Sequence, residues 1–306
     1  MKFKKTVSIV VITYNQEKYI AKALESILMQ ETSFEYEVII GEDCSTDRTK
    51  EIILEYQQQF GSKMRLLQRE KNMGMLRNVL ECLKYCNGEY IAFLEGDDYW
   101  LSPHKLQRQV DYMEQHMSCI LTSHSWIVVN GKEQNISNEH VVDETIKYGI
   151  EQFSSFELPG QASTWMVRNK VEQIMKDCLP LLKKYFWIVP DRSITFVLLL
   201  YGEIHILPEV MSAYRYVIDE NEKNWSAKHS VEAKHNYISL FMQMIGLEHM
   251  AKDKKVAIDF YETRKYVFRR SRRYYRESHN KWVWLQGILL ILLEPRKKRL
   301  LKEIFS

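Results

Sequence analysis

Hydrophobic positions in the first hundred residues switch repeatedly between two periods. Val7–Thr13 is a near-continuous β-branched run, the pattern of a strand covered on both faces. Over residues 18–30, Tyr19, Ala23, Leu24, Ile27 and Leu28 recur at helical spacing. Glu37–Gly41 predicts a second strand, and Ser45-Thr46-Asp47 caps a helix whose Ile52, Ile53, Tyr56 and Phe60 share a face. Met64–Gln68 predicts a third strand, Met75–Tyr85 a helix, and Tyr90–Leu94 a fourth strand. Such alternation predicts an α/β fold with a mostly parallel sheet and right-handed crossovers.

Further on the pattern loosens. Residues 118–129 and Gln161–Arg168 read as strands, with a polar, irregular connection over 130–160. Val171–Tyr185 and Asp191–Tyr201 predict helices, Ile204–Leu207 and Val210–Tyr216 short strands, and the chain reads helical from about 230 to its end. A boundary near 228 is expected between an α/β domain (a nucleotide-binding half over 1–100 and an acceptor half over 101–228) and a helical extension over 229–306.

The polar clusters follow the strands. Thr13-Tyr14-Asn15-Gln16-Glu17 comes after the first, Glu42-Asp43-Cys44-Ser45-Thr46-Asp47 after the second, Asn72-Met73-Gly74 with Arg77-Asn78 after the third, and Glu95-Gly96-Asp97-Asp98 after the fourth. Ligands of parallel sheets bind beyond the carboxyl ends of the strands, so these segments are expected to meet on one rim. Neither GxGxxG nor a Walker motif is present, which argues against dinucleotide and P-loop phosphate sites. Three carboxylates within four residues repel one another unless a positive charge lies between them. A hard cation, Mg2+ or Mn2+, suits oxygen ligands and carries substrate phosphates. A solvated acidic turn with an aspartate as helix cap is the plainer alternative.

At 306 residues the chain has room for one large α/β domain and an appendage, and its 45% apolar content suits a packed core. Lys2, Lys4 and Lys5 lead straight into the first strand without cleavage-type small residues, which predicts no secretory leader. No apolar run is long enough to span a bilayer. Five cysteines lack zinc-type spacing and are expected as reduced thiols. The net charge of +3 conceals an asymmetry: residues 250–306 carry 16 Lys/Arg against 6 Asp/Glu, so a basic tail follows an acidic body.

Taken together, the four clusters resemble glycosyltransferase family 2, the inverting nucleotide-sugar transferases of the GT-A (Rossmann-like) fold, over residues 6–216. Ser8–Asn15 is similar to the family's opening strand, Glu42–Asp47 resembles its Asp-Asp-Gly-Ser-Thr-Asp loop, Asn72-x-Gly74-x-x-Arg77-Asn78 its third element, and Glu95–Asp98 stands where the family has its DxD metal motif. The resemblance implies a nucleoside-diphosphate sugar donor, a UDP-sugar first, and Mn2+ or Mg2+ held by Asp97 and Asp98. It implies that Thr13, Tyr14, Asn15 and Glu17 line the nucleoside site, that Asp43 accepts a bond from the base, that Asn72 and Arg77 lie nearby, and that Glu95 contacts ribose. Asp191 resembles the family's catalytic base; a helix N-terminus is expected to lower its pKa, and proximity to the donor site to raise it again. Trp187, Ser163 and Thr164, beside Gln161, are candidates for acceptor contact. Many relatives carry a His shortly after a Tyr-Arg pair. Here Tyr214-Arg215 lacks it, so Arg215 or Lys223 is expected to cover the diphosphate, on a mobile loop over Asp219–Asn224.

The implied role is metal-assisted sugar transfer to a glycan or lipid-linked acceptor in surface polysaccharide biosynthesis, in the cytoplasm at the inner face of the plasma membrane. A catalytically silent nucleotide-sugar-binding or scaffolding protein of the same fold is the alternative. In the tail, Trp282–Leu293 is too short to span a membrane but suits its interface, with basic residues toward anionic lipid. The alternatives are packing on the domain and a homodimer contact. Nucleic-acid binding is disfavoured, because no recognised module is present.

Overall fold

The computed structural model describes residues 7–170, 172, 175, 176, 179, 180, 190–217, 237–279 and 281–305. It divides into two compact units, one of Met1–Gly149, Pro159–Lys176 and Val197–Tyr216, the other of Ile150–Leu158, Asp177–Phe196 and Val217–Ser306. The segments 150–158 and 177–196 thus group with the C-terminal helices, where the sequence assigned them to the α/β domain.

The first unit is built on a sheet of ten strands among the described residues. In chain order these are β1 (Val7–Thr13), β2 (Tyr36–Glu42), β3 (Met64–Gln68), β4 (Tyr90–Glu95), β5 (Tyr99–Trp100), β6 (Cys119–Val129), β7 (Asn135–Ser137), β8 (Ile146–Tyr148), β9 (Met166–Arg168) and β10 (Glu203–Arg215). The main path runs β3-β2-β1-β4-β9-β6-β10-β5. β3, β2, β1 and β4 are parallel, and β9 enters antiparallel between β4 and β6. Helices α1 (Ile20–Leu28), α2 (Thr49–Phe60) and α3 (Met75–Leu83) connect the first four strands, and α4 (Lys105–Gln115) follows β5. The alternating apolar pattern produces this directly: Val7, Ile9, Val11, Val38, Ile40, Ala92 and Leu94 form one core with Ala23, Leu24, Ile27 and Ile53, while Val10, Ile39 and Ile91 face Cys82 on the other side.

Register decides what the rim contains. Thr13 pairs with Glu42, Ile12 with Glu95, and Glu42 with Gln68, so the loops after all four strands leave one edge. Three features depart from the sequence reading. The stretch 130–160 contains β7, β8 and a short helix, α5 (Ile150–Ser154). Gln161–Arg168 is a strand only from Met166, preceded by a 3-10 turn over Ala162–Thr164. β10 is one strand with a register shift between Leu207 and Ser212, where Pro208 cannot donate to the ladder.

The second unit contains α6 from Pro190 (Pro190–Leu199, whose last turn belongs to the first unit), α7 (Tyr237–Asp253), α8 (Tyr261–Ser278), α9 (Lys281–Leu293) and α10 (Lys297–Phe305). Phe260 packs edge-on against Phe153 and Phe156. Arg264, fully buried, bonds Glu294 at 2.8 Å and also Glu248. Breaking a buried ion pair of this kind leaves an uncompensated charge. Most of the predicted helix 171–185 lies outside the described residues.

Within β6 of the first unit, His124 is fully buried with Nε2 lacking a partner, and burial together with the nearby Lys105 pushes its pKa down to about 3. The unfolded chain therefore takes up a proton near pH 6.5 that the folded chain refuses. Stability contributed by this site is complete above that pH and falls as pH drops toward the folded value. In chemical denaturation, stability is expected to fall by about 1–2 kcal/mol between pH 6.5 and about pH 5, and His124→Gln to flatten that slope by about one proton.

Candidate active site

The rim is a set of loops bound to one another. After β1, Asn15 adopts φ 52°, its N–H donates to Ser45 Oγ at 3.0 Å and its Oδ1 accepts from Thr46 N–H at 2.8 Å. Gln16 N–H donates to Thr49 Oγ1, and Glu17 both donates to Asp47 and accepts from Arg48 N–H. Cys44 sits at φ 63°, a conformation costing a non-glycine residue about 1–2 kcal/mol. Its neighbour Asp43 is buried and receives the N–H of Met73 at 2.8 Å and of Gly74 at 2.9 Å, joining the second loop to the third. Asn78, buried in α3, donates to Gly41 C=O.

The acidic loop is held from three sides. Gly96 N–H donates to Ile12 C=O, and a Cβ at this glycine would lie 2.5 Å from Gln16 Oε1 and 2.8 Å from Thr13 Oγ1. Asp98 is 1% exposed. Its Oδ2 accepts from Ser163 Oγ at 2.8 Å and its Oδ1 from Arg215 N–H at 2.9 Å. Ser163 Oγ in turn accepts from Glu95 N–H. The Arg215 guanidinium, also buried, donates to Asp97 C=O at 2.9 Å and to Glu133 at 3.1 Å, and lies over the Tyr19 ring. Burial drives the Asp98 pKa upward and Asp97 adds like-charge repulsion, while the Arg215 N–H and the Ser163 hydroxyl oppose both.

Four expectations are corrected by this geometry. Asp98 does not stand beside Asp97 as an outward ligand: it is an internal anchor with both oxygens bonded. Ser163 and Thr164 are fully buried and do not reach an acceptor. Ser163 ties β4 to Asp98, and Thr164 Oγ1 closes its turn on Gln161 C=O. Arg215 is committed to Asp97 and Glu133 rather than lying over a diphosphate. Asp191, in the first turn of α6, has a raised pKa because burial outweighs the opposing Arg192 and its own N–H, against the lowering expected from the helix end. Trp187, Lys223 and Asp219–Asn224 lie outside the described residues. Sequence reasoning missed Glu133 and Lys22, which pairs with it, and gave Ser163 a different role. None has a local pattern, since Ser163 is 65 positions from Asp98.

What remains at the surface of the rim is chemically simple. Tyr14 is 43% exposed. Arg77 is exposed and has no ion pair among the described residues. Asn72 is exposed and caps its own turn at Gly74. Thr13 is buried, and Glu95 and Asp97 are half-buried. No group of three or more His, Cys, Asp or Glu able to hold a metal occurs among the described residues. Two carboxylates in one loop fit a hard cation whose remaining ligands are phosphate oxygens and water rather than an all-protein cage. With both Asp98 oxygens bonded, Asp97 and Glu95 are the carboxylates of this loop that would hold such a cation.

The profile of the family described as glycosyl transferase family 2 matches residues 8–171, and the chain belongs to that family. An uncharacterized protein of Mycobacterium tuberculosis, Rv1520, is 34% identical over 216 residues, covering 68% of this chain. The chain spans 58% of that relative's length. A poly(ribitol-phosphate) beta-N-acetylglucosaminyltransferase of Staphylococcus aureus, TarS, is 36% identical over 116 residues, 37% of this chain and 20% of TarS. The crystal structure of TarS 1–349 in complex with UDP-GlcNAc superposes with a TM-score of 0.59 at 21% identity, covering 89% of this chain and 73% of that one. It shares the GT-A fold with this chain.

If Ser163 is an anchor, Ser163→Ala lowers unfolding stability by about 1–3 kcal/mol in the absence of any substrate, measured by denaturant titration. Stability unchanged from the parent chain, with only an acceptor KM altered, would restore Ser163 to the acceptor site.

Proposed function

We propose that the protein transfers a sugar from a nucleoside-diphosphate donor, UDP-sugar first, to a hydroxyl of a glycan or lipid-linked acceptor in surface polysaccharide biosynthesis, with inversion at the anomeric carbon. The observation that carries this reading is the convergence of four β-strand loops on one rim that ends in Glu95-Gly96-Asp97. Family membership and the names of the relatives, TarS among them, support it.

In this reading Tyr14 and Asn15 flank the nucleoside. Asp43, already fixing the Asn72 loop, presents its remaining lone pairs toward the base. The exposed Arg77 supplies positive charge near the base or phosphates. Mg2+ or Mn2+, held by Asp97 with Glu95 beside it, would supply positive charge to the leaving diphosphate. The acceptor oxygen forms a bond to the anomeric carbon while the bond from that carbon to the phosphate oxygen breaks. The electron pair leaves with the nucleoside diphosphate, and the hydroxyl proton passes to the Asp191 carboxylate. A raised pKa makes Asp191 a stronger base than an ordinary aspartate, and it acts only when ionised. Transfer therefore declines as pH falls through its pKa, above the usual value of 3.8.

A thermal-shift panel of nucleotide sugars with Mn2+ identifies the donor by the stabilisation that binding confers. With that donor, Asp191→Asn is expected to reduce transfer about 10²–10⁴-fold and to retain the thermal shift. Asp97→Asn is expected to abolish the Mn2+-dependent part of the shift at unchanged intrinsic stability. Donor stabilisation without turnover in the parent chain would favour a silent sugar-nucleotide-binding or scaffolding protein, and absence of both would overturn the reading.

A further inference from the structure

Helix α9 (Lys281–Leu293) has no charged residue after Lys281, and it is apolar on every side. A helix of that kind is ordinarily enclosed. Here only Val283, Gln286 and Leu290 are buried, on one narrow face. On the opposite side Trp284, Ile288 and Leu292, each four residues from the next, form a stripe in which Trp284 is 52% and Leu292 63% exposed. Leu285, 42% exposed, widens it. Contiguous apolar surface on this scale marks a surface that meets another apolar phase.

The surroundings indicate which phase. Lys281 begins the helix, and Lys297 and Lys298 follow it after Pro295. The neighbouring α8 exposes Arg269 and Arg276. None of these five cations has an ion pair among the described residues. Residues 250–306 carry 16 Lys/Arg against 6 Asp/Glu. A second copy of the chain would bring these like charges together and pay for it in repulsion, whereas an anionic lipid surface neutralises them. The thirteen residues of α9 span about 20 Å at 1.5 Å per residue, short of the roughly 30 Å hydrocarbon core, and no helix of the described residues is long and apolar enough to cross a membrane. A helix too short to cross, opened by Trp282 and Trp284 and flanked by cations, is suited to the interface, where tryptophan rings sit at headgroup depth and basic side chains meet anionic lipid.

We propose that α9 is a membrane-docking helix that lays its Trp284–Ile288–Leu292 stripe into the headgroup–acyl boundary of an anionic bilayer, with the flanking Lys and Arg side chains on lipid phosphates. This does not depend on the chemistry of the rim, and donor binding serves as an independent control. The test is vesicle flotation of the full chain at low salt, with pure phosphatidylcholine vesicles compared against vesicles containing about 30% phosphatidylglycerol. At least about tenfold more protein is expected on the anionic vesicles, with the difference lost at high salt. The double variant Trp284→Ser with Leu292→Ser, at two exposed positions, is expected to lose that binding at least tenfold while its circular dichroism melting curve stays unchanged. Equal binding to both vesicle types, or a double variant that binds as the parent does, overturns the proposal. Absence of vesicle binding together with a dimer that the same two substitutions dissociate would instead assign the stripe to a second copy.

Discussion

The rim depends on the buried carboxylate of Asp98. One of its oxygens is bonded by the Ser163 hydroxyl and the other by the Arg215 backbone N–H, and through them the acidic loop is fixed to the turn before β9 and to the end of β10. Burying a carboxylate is costly unless hydrogen bonds and charge compensate it. Arg215 contributes to both, because its guanidinium holds Asp97 C=O and Glu133 while its N–H serves Asp98. The neighbouring acid at position 97 is thereby kept in a fixed loop at the edge of the sheet. Gly96, packed on Thr13 and Gln16, permits the close approach to β1 that brings the loop there.

This division of labour explains what could be read in advance. The first four strands and their helices were legible because long β-branched runs alternate with amphipathic segments, and a parallel sheet puts every strand's carboxyl end on the same edge. Convergence of the loops followed from topology alone, and the register of Thr13, Glu42 and Glu95 agrees with it. Which of two adjacent aspartates turns inward was not legible, since the two are chemically identical and partners far along the chain decide the matter. Ser163 and Thr164 looked like acceptor contacts because small hydroxyl residues fit both a sugar site and a buried turn. Burial, which separates the two, is a tertiary property. Strands β7 and β8 escaped notice because three residues each, paired at the margin of a sheet, carry no periodicity. Asp191 was placed at a helix start correctly; of the two opposing influences expected on its pKa the upward one prevails, and its cause is burial.

The second unit follows a different rule. Its interior is held by aromatic packing around Phe260 and by the buried Arg264–Glu294 pair, yet its most apolar helix contributes mainly one narrow face to that interior. Stability of the unit does not account for the rest of that helix, nor for the basic residues around it. Apolar side chains left in water on this scale cost solubility and are best explained by an external surface that covers them.

The central claim, that Asp98 anchors and Asp97 faces the donor's cation, is tested most directly by a crystal structure with Mn2+ and a nucleoside diphosphate, the ion located by anomalous scattering. The account predicts manganese bonded to Asp97 and to phosphate oxygens, with Asp98 still bonded to Ser163 and to the Arg215 N–H. Manganese bonded to Asp98, with Ser163 turned away and Asp97 unengaged, would contradict it.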